Sequence, residues 1–185
     1  TMKSALERRE NVGLCSILAS SGSAPRGAGA KMAVFQNGQA LGTIGGGAVE
    51  RIAAQQATEL FQTGASYCQA FCLAPNQVND IGMICGGSVT VYFRFFDHEN
   101  ARDLELIKTI LELLASGQDA WLVSRMEDGK IAAMGTFDEA HGLRFAELDE
   151  TMLRPWLTSS AVYRKGEPSY YVEPISRAGR VYVFG

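Results

Sequence analysis

The segment Gly45-Gly46-Gly47 separates two patterns that belong to different secondary structures, and this constrains the fold more than any other feature of the chain. Before it, a short apolar run ends at Ile44. After it, Val49, Ile52, Ala53, Gln56, Ala57, Leu60 and Phe61 recur at helical spacing, and Gly64 is placed to cap the C-terminus. Strand, glycine turn and helix N-terminus, in that order, make an anion-binding geometry. The turn's N–H groups are free to point outward, and the helix dipole adds partial positive charge. The GxGxxG spacing of a dinucleotide fingerprint is missing, and no Gly-Lys-Ser/Thr follows as in a P-loop. Two readings of the turn stand, an anion site and a tight connection.

A second glycine cluster carries a thiol. In Gly82-Met83-Ile84-Cys85-Gly86-Gly87, one cysteine precedes two glycines and then the strand-like run Ser88-Val89-Thr90-Val91-Tyr92-Phe93. Neither Gly86 nor Gly87 has a Cβ, so backbone can approach a ligand closely there. Cys85 reads as a reactive thiol in that setting, or as a small buried hydrophobe before a turn. A third segment, Ser20-Ser21-Gly22-Ser23-Ala24-Pro25-Arg26-Gly27-Ala28-Gly29-Ala30-Lys31-Met32, joins the strand-like runs 13–19 and 32–35. Ser21 and Ser23 supply hydroxyls, and Arg26 and Lys31 supply cations suited to phosphate or carboxylate. The alternative is a solvated loop with two ordinary surface charges.

Length and charge exclude several classes. The chain has 185 residues, a net charge of -3 and 46% hydrophobic residues. That suits one domain, with no basic footprint for nucleic acid. No apolar run has membrane-spanning length. The charged N-terminal segment lacks the apolar core of a signal peptide and reads as an amphipathic helix. The default setting is a reducing cytoplasm. Cysteines 15, 68, 72 and 85 form no CxxC. In a strand, Cys68 and Cys72 share a face about 13 Å apart, at about 3.3 Å per residue. That is too far for a disulfide or a shared ion. With only His98 and His141 besides, no structural zinc is expected.

Strand patterns fall near 12–19, 31–36, 40–44, 66–73 and 88–96, and the Val49–Thr63 helix joins two of them. A second helix spans Ala101–Ala115, capped by Asn100 with Asp103 in its first turn and ended by Gly117. Strands follow near 120–126, 130–136, 142–145, 160–164 and 169–174, with a hairpin turn at Glu127-Asp128-Gly129-Lys130. The expected fold is α/β, a mixed sheet with helices packed on it. Residues 75–80 read as the least ordered stretch. At the end, Ser176-Arg177-Ala178-Gly179-Arg180 reads as a linker. Val181-Tyr182-Val183-Phe184-Gly185 reads as an edge strand, or as the opening strand of a nucleotide-binding unit.

Together, SSGSAPRGAGAKM at 20–32, LGTIGGGAVE at 41–50 and GMICGG at 82–87 resemble the XdhC/CoxI family of accessory factors for xanthine dehydrogenase and related molybdenum hydroxylases. The order and spacing of these motifs match as well, and RVYVFG at 180–185 looks like the first strand of the family's Rossmann-like domain. The resemblance implies an XdhC/CoxI-like domain over 1–175, with a linker and the start of a truncated Rossmann-like domain at 176–185. It implies transient binding of the molybdenum cofactor, molybdopterin with its metal, help with sulfuration, and insertion into the apo-hydroxylase. A cysteine desulfurase and a second copy of the chain are the other implied partners.

Under this reading Ser21, Ser23, Arg26, Lys31, Gly45, Gly46, Gly47, Gly86 and Gly87 contact the cofactor, and Cys85 meets molybdenum or sulfur. The protein is then a maturation factor rather than an enzyme. The alternatives are a thiol-dependent sulfur transferase, a nucleotide-dependent oxidoreductase lacking its Rossmann-like domain, and a scaffold that dimerises through edge strands.

Overall fold

The computed structural model describes residues 1–22, 26–72 and 87–176. Helix α1 (Met2–Glu7) is capped by the Thr1 hydroxyl, which accepts from the Ser4 N–H. Strand β1 (Val12–Gly22) leads to the hairpin β2 (Lys31–Phe35) and β3 (Ala40–Gly42). Helix α2 (Gly47–Thr63) follows, then β4 (Tyr67–Cys72) and β5 (Gly87–Phe96). Helix α3 (Ala101–Ser116) starts at Asn100, whose side chain accepts from the Arg102 N–H at 3.1 Å. Strands β6 (Ala120–Glu127), β7 (Lys130–Asp138) and β8 (Gly142–Arg144) come next. A short helix α4 (Glu150–Leu153) then runs into a 3-10 turn, and β9 (Val162–Arg164) and β10 (Ser169–Pro174) complete the described chain.

The ten strands form one sheet in the order β3-β2-β1-β5-β4-β7-β6-β10-β9, with β8 beside β7. The α/β class and the helices packed on a sheet are as the sequence implies. Strand direction is different. Every pairing among the described residues is antiparallel, where a mixed sheet is expected. The reason lies partly in the connections, since tight hairpins can join only antiparallel neighbours. The β6–β7 turn shows this. Asp128 and Gly129 both take positive φ, 49° and 68°, which is the twist a two-residue hairpin requires.

Side chains alternate across β1 and divide the core in two. Leu14 and Leu18 pack with Ala33, Tyr92, Phe96, Leu106, Ile107 and Met126, on the side covered by α1 and α3. Cys15 and Ile17 pack with Met32, Val34, Val91 and Phe93, under Val49, Ala53, Ala57 and Leu60 of α2. A third cluster joins Val123, Phe137 and Val172 to Leu153, with Trp156 packed against it. This α4 segment is not visible to periodicity, because four residues make only one turn. Asp149 starts it by accepting from the Thr151 N–H at 2.8 Å.

One ion pair fixes α3 to the sheet. Asp103 is 3% exposed and accepts from the Arg94 guanidinium at 2.6 Å and from the Asp97 N–H at 2.9 Å. Arg94 also lies over the Phe96 ring, 4.8 Å from its centroid. Removing one member leaves the other charge without its partner in a poorly hydrated place. Asp103→Ala is expected to lower the unfolding free energy in urea by about 3 kcal/mol, the lower end of the range for breaking a buried pair. A loss below about 1 kcal/mol would place this pair among weak surface bridges.

Candidate functional site

The long β1–β5 ladder brings two of the three motifs together. Its last pairs are Ser20↔Val89, Ser21↔Ser88 and Gly22↔Gly87. The Ser21 and Ser88 hydroxyls lie 2.8 Å apart in a hydrogen bond. The start of the serine-glycine loop and the last glycine of the CGG motif are therefore direct neighbours. Ser23, Cys85 and Gly86 lie outside the described residues. Cys85 stands two residues along the chain from Gly87.

The direction of α2 brings the third motif to the same end. A Cβ on Gly13 would meet the Ala57 carbonyl oxygen at 3.1 Å, so the helix crosses β1 very closely there. Two residues further along the strand, the Cys15 thiol donates to the Ala53 carbonyl at 3.7 Å. Two strand residues, about 6.6 Å, thus match four helix residues, about 6 Å. Continuing this alignment sets Ile17 opposite Val49, and both belong to one buried cluster with Ile44. By the same spacing the glycine turn falls opposite Leu18 and Ala19, toward the end of β1 at which Gly22 meets Gly87.

The turn itself differs from the sequence expectation. Its N–H groups are not all directed outward. The Glu50 side chain folds back from the first turn of α2, and Glu50 Oε2 accepts from the N–H of Ile44 at 3.1 Å and of Gly46 at 3.0 Å. It also accepts from the Thr43 hydroxyl, which in turn accepts from the Gly45 N–H at 3.1 Å. The chain's own carboxylate thus occupies the positive end of the helix. Gly46 remains the open point. It sits at φ 75°, and a Cβ built there meets nothing within 4 Å. The residues sequence reasoning passed over are Thr43 and Glu50. The signal is present in the sequence, as a carboxylate in the first helical turn after a glycine N-cap.

Arg26 is exposed in the loop after β1. Lys31 is elsewhere. On β2, Met32 and Val34 face α2, whereas Ala33 faces α1 and α3, and Lys31 shares the face of Ala33. Its ammonium donates to Glu173 Oε2 at 2.5 Å and to the Gly29 carbonyl at 3.2 Å. The expected grouping of Lys31 with the glycine turn is not what the structure shows, because strand alternation sends it through to the other face.

Of the described thiols, Cys15 is buried and Cys68 is half-buried. Desolvation pushes the Cys15 thiol up to about 12 and the Cys68 thiol up to about 11. Cys68 Sγ lies 3.4 Å from Met126 Sδ within the core. The side chain of Cys72 lies outside the described residues. No helix among the described residues is long and apolar enough to cross a membrane.

These features define an antiparallel α/β domain whose glycine-rich motifs meet at one end of a central strand pair. Comparison with known proteins assigns the stretch that carries most of them. Residues 5–71 match the model of the XdhC and CoxI family, the family that the motifs resemble. The match takes in β1, the glycine turn and α2, and stops before the CGG motif. Among solved structures, a Bacillus halodurans protein described as a xanthine dehydrogenase shares the fold, with a TM-score of 0.72 at 17% identity. The alignment covers 95% of this chain and 53% of that one, so the chain spans about half the length of its structural relative. No curated protein sequence matches the chain.

The Glu50 cap has a testable consequence. Hydrogen bonds hold its carboxyl below the ordinary value of 4.5, the Thr43 hydroxyl first, then the N–H groups of Gly46, Ile44 and Gly45. A carboxyl depressed in the folded state stabilises above its unfolded pKa, and that stability is lost as pH falls through the folded pKa. Glu50→Gln is expected to lower stability at pH 7 by about 1 kcal/mol, as for one hydrogen bond to a charged group in partial solvent. It should also flatten the decline in stability below pH 4.5. Urea titrations across pH check both. An unchanged acid limb would show that Glu50 does not hold the turn.

Proposed function

We propose that this chain is an accessory protein of a xanthine dehydrogenase-type molybdenum hydroxylase, and that it binds the molybdenum cofactor during sulfuration and insertion. The observation that carries this reading is the pairing of the serine-glycine segment with the end of the CGG motif at Gly22↔Gly87, with the family-matched glycine turn set toward the same end of β1. The client apo-hydroxylase and a cysteine desulfurase are its proposed partners, the protein works in the cytoplasm, and a homodimer is its proposed state.

The residues present suit such a group in part. When bound, the cofactor supplies a pterin, a phosphate and a metal–dithiolene centre that exchanges oxo for sulfido. Gly46 leaves room for close backbone approach. Arg26 is exposed and offers a fork of donors to phosphate. Glu50 narrows the role of the glycine turn. With its carboxylate on the Ile44 and Gly46 N–H groups, the turn presents an acceptor to the donor edge of a heterocycle rather than bare N–H groups to a phosphate. Ser21 and Gly87 form the opposite wall, and Cys85 supplies the thiol.

Cys85 is the proposed reactive group because the two competing thiols among the described side chains are poor. The Cys15 and Cys68 thiols are held protonated by burial, and the thiolate is the nucleophile and metal ligand. Limited iodoacetamide labelling near pH 8 is expected to modify Cys85 ahead of Cys15 and Cys68. Protein purified with the cofactor available is expected to retain molybdopterin stoichiometrically without turnover, and Cys85→Ser to lose most of it while staying folded. Cofactor retention in a folded Cys85→Ser, or earlier labelling of Cys15 or Cys68, would remove Cys85 from the site. Turnover would favour the transferase or oxidoreductase reading.

A further inference from the structure

The face of the sheet away from the glycine turn holds a cavity of about 620 Å³ between α3 and the strands. Leu14, Phe96, Ile107, Ile110, Leu122 and Met134 make its walls. Its volume lies in the ordinary range for small-molecule sites, which are mostly apolar with a few placed polar groups. Here the polar groups are Lys31 and Glu173, which also line the cavity.

Their hydrogen bonding is incomplete. Glu173 is 5% exposed, and its Oε2 accepts from Lys31 at 2.5 Å and from the Tyr171 hydroxyl at 3.0 Å. Among the described residues its Oε1 accepts no hydrogen bond. The Lys31 ammonium uses two of its three N–H groups, on Glu173 and on the Gly29 carbonyl. One donor on Lys31 and one acceptor on Glu173 are therefore left on an ion pair with no net charge. An apolar cavity built only for packing has no need of that pair.

We propose that this cavity is a second ligand site, for a neutral and largely apolar molecule with an amide- or lactam-type edge. The ligand's carbonyl oxygen accepts from Lys31, and its adjacent N–H donates to Glu173 Oε1. A carboxylate ligand would meet Glu173, and an ammonium ligand would meet Lys31, so either charge costs affinity. The site takes Ala28, Gly29 and Lys31 from the serine-glycine segment but no residue of the glycine turn or the CGG motif, and no step of the proposal needs a molybdenum cofactor.

Three flat bicyclic probes of similar size test it: 2-quinolinone as the neutral lactam, 2-naphthoate as the anion and 2-naphthylmethylammonium as the cation. Each is titrated into the full chain while the methyl NMR signals of Ile107, Ile110 and Met134 are followed. The lactam is expected to shift these signals saturably and to bind at least about tenfold more tightly than either charged probe. Glu173→Gln leaves Lys31 uncompensated and is expected to move the preference to 2-naphthoate. Lys31→Met is expected to move it to the ammonium probe, so either variant that folds tests the pairing. Ser160→Trp, at the exposed rim, is expected to weaken the lactam without disturbing the core. No shift of these methyls by any probe, equal binding of all three, or an unchanged order of preference in a folded charge variant would overturn the proposal.

Discussion

The β1–β5 ladder is the constraint on which the rest of the molecule depends. Strand β1 runs for eleven residues, pairs with β2 on one side and β5 on the other, and lies inside both halves of the core. Its register decides which side chains go to α2 and which to α3. A slip of one residue would exchange Leu14 with Cys15 and Ile17 with Leu18, inverting both cores at once. The same register places Gly22 opposite Gly87. The architecture that buries the core and the geometry that gathers the motifs are one set of hydrogen bonds.

Electrostatics then separates the two faces. On the α2 face, a carboxylate from the chain itself takes the N–H groups at the head of the helix, so the turn is held rigid before any ligand arrives. On the α3 face, Lys31 and Glu173 neutralise each other beside Tyr171. Burial and the adjacent Glu173 carboxylate push the Tyr171 hydroxyl well above its ordinary range, so it stays protonated and able to donate. Each motif cation or anion thus has a definite partner or a definite exposure, and the two faces select for different chemistry.

Much of the architecture is legible in the sequence, for identifiable reasons. The helices at 47–63 and 101–116 show in their apolar spacing and in Gly64 and Gly117, which end them. The hairpin at Asp128–Gly129 shows in its turn residues. Strand direction and order do not show, because they depend on contacts between distant segments. The α4 segment is too short for periodicity to register. Within the site, the positions of the glycines are legible, but their satisfaction is not, since Glu50 reaches back four residues to Gly46 by a side-chain bond that no spacing rule states. Lys31 is the instructive miss. The alternation of Met32 and Val34 against Ala33 already separates it from the residues that face α2. That strand pattern places Lys31 with Ala33 rather than with the anion-binding turn.

The central claim is that the three motifs meet at one end of β1, and a spin label on Cys85 tests it most directly. Helix α2 runs for seventeen residues, so its two ends lie about 25 Å apart at 1.5 Å per residue. Paramagnetic broadening of backbone amides distinguishes them. Strong broadening is expected at Gly22, Ser88 and Gly45 through Gly47, with Thr63 and Gly64 left sharp. Broadening at Thr63 and Gly64 in place of the glycine turn would contradict the convergence and the site built on it.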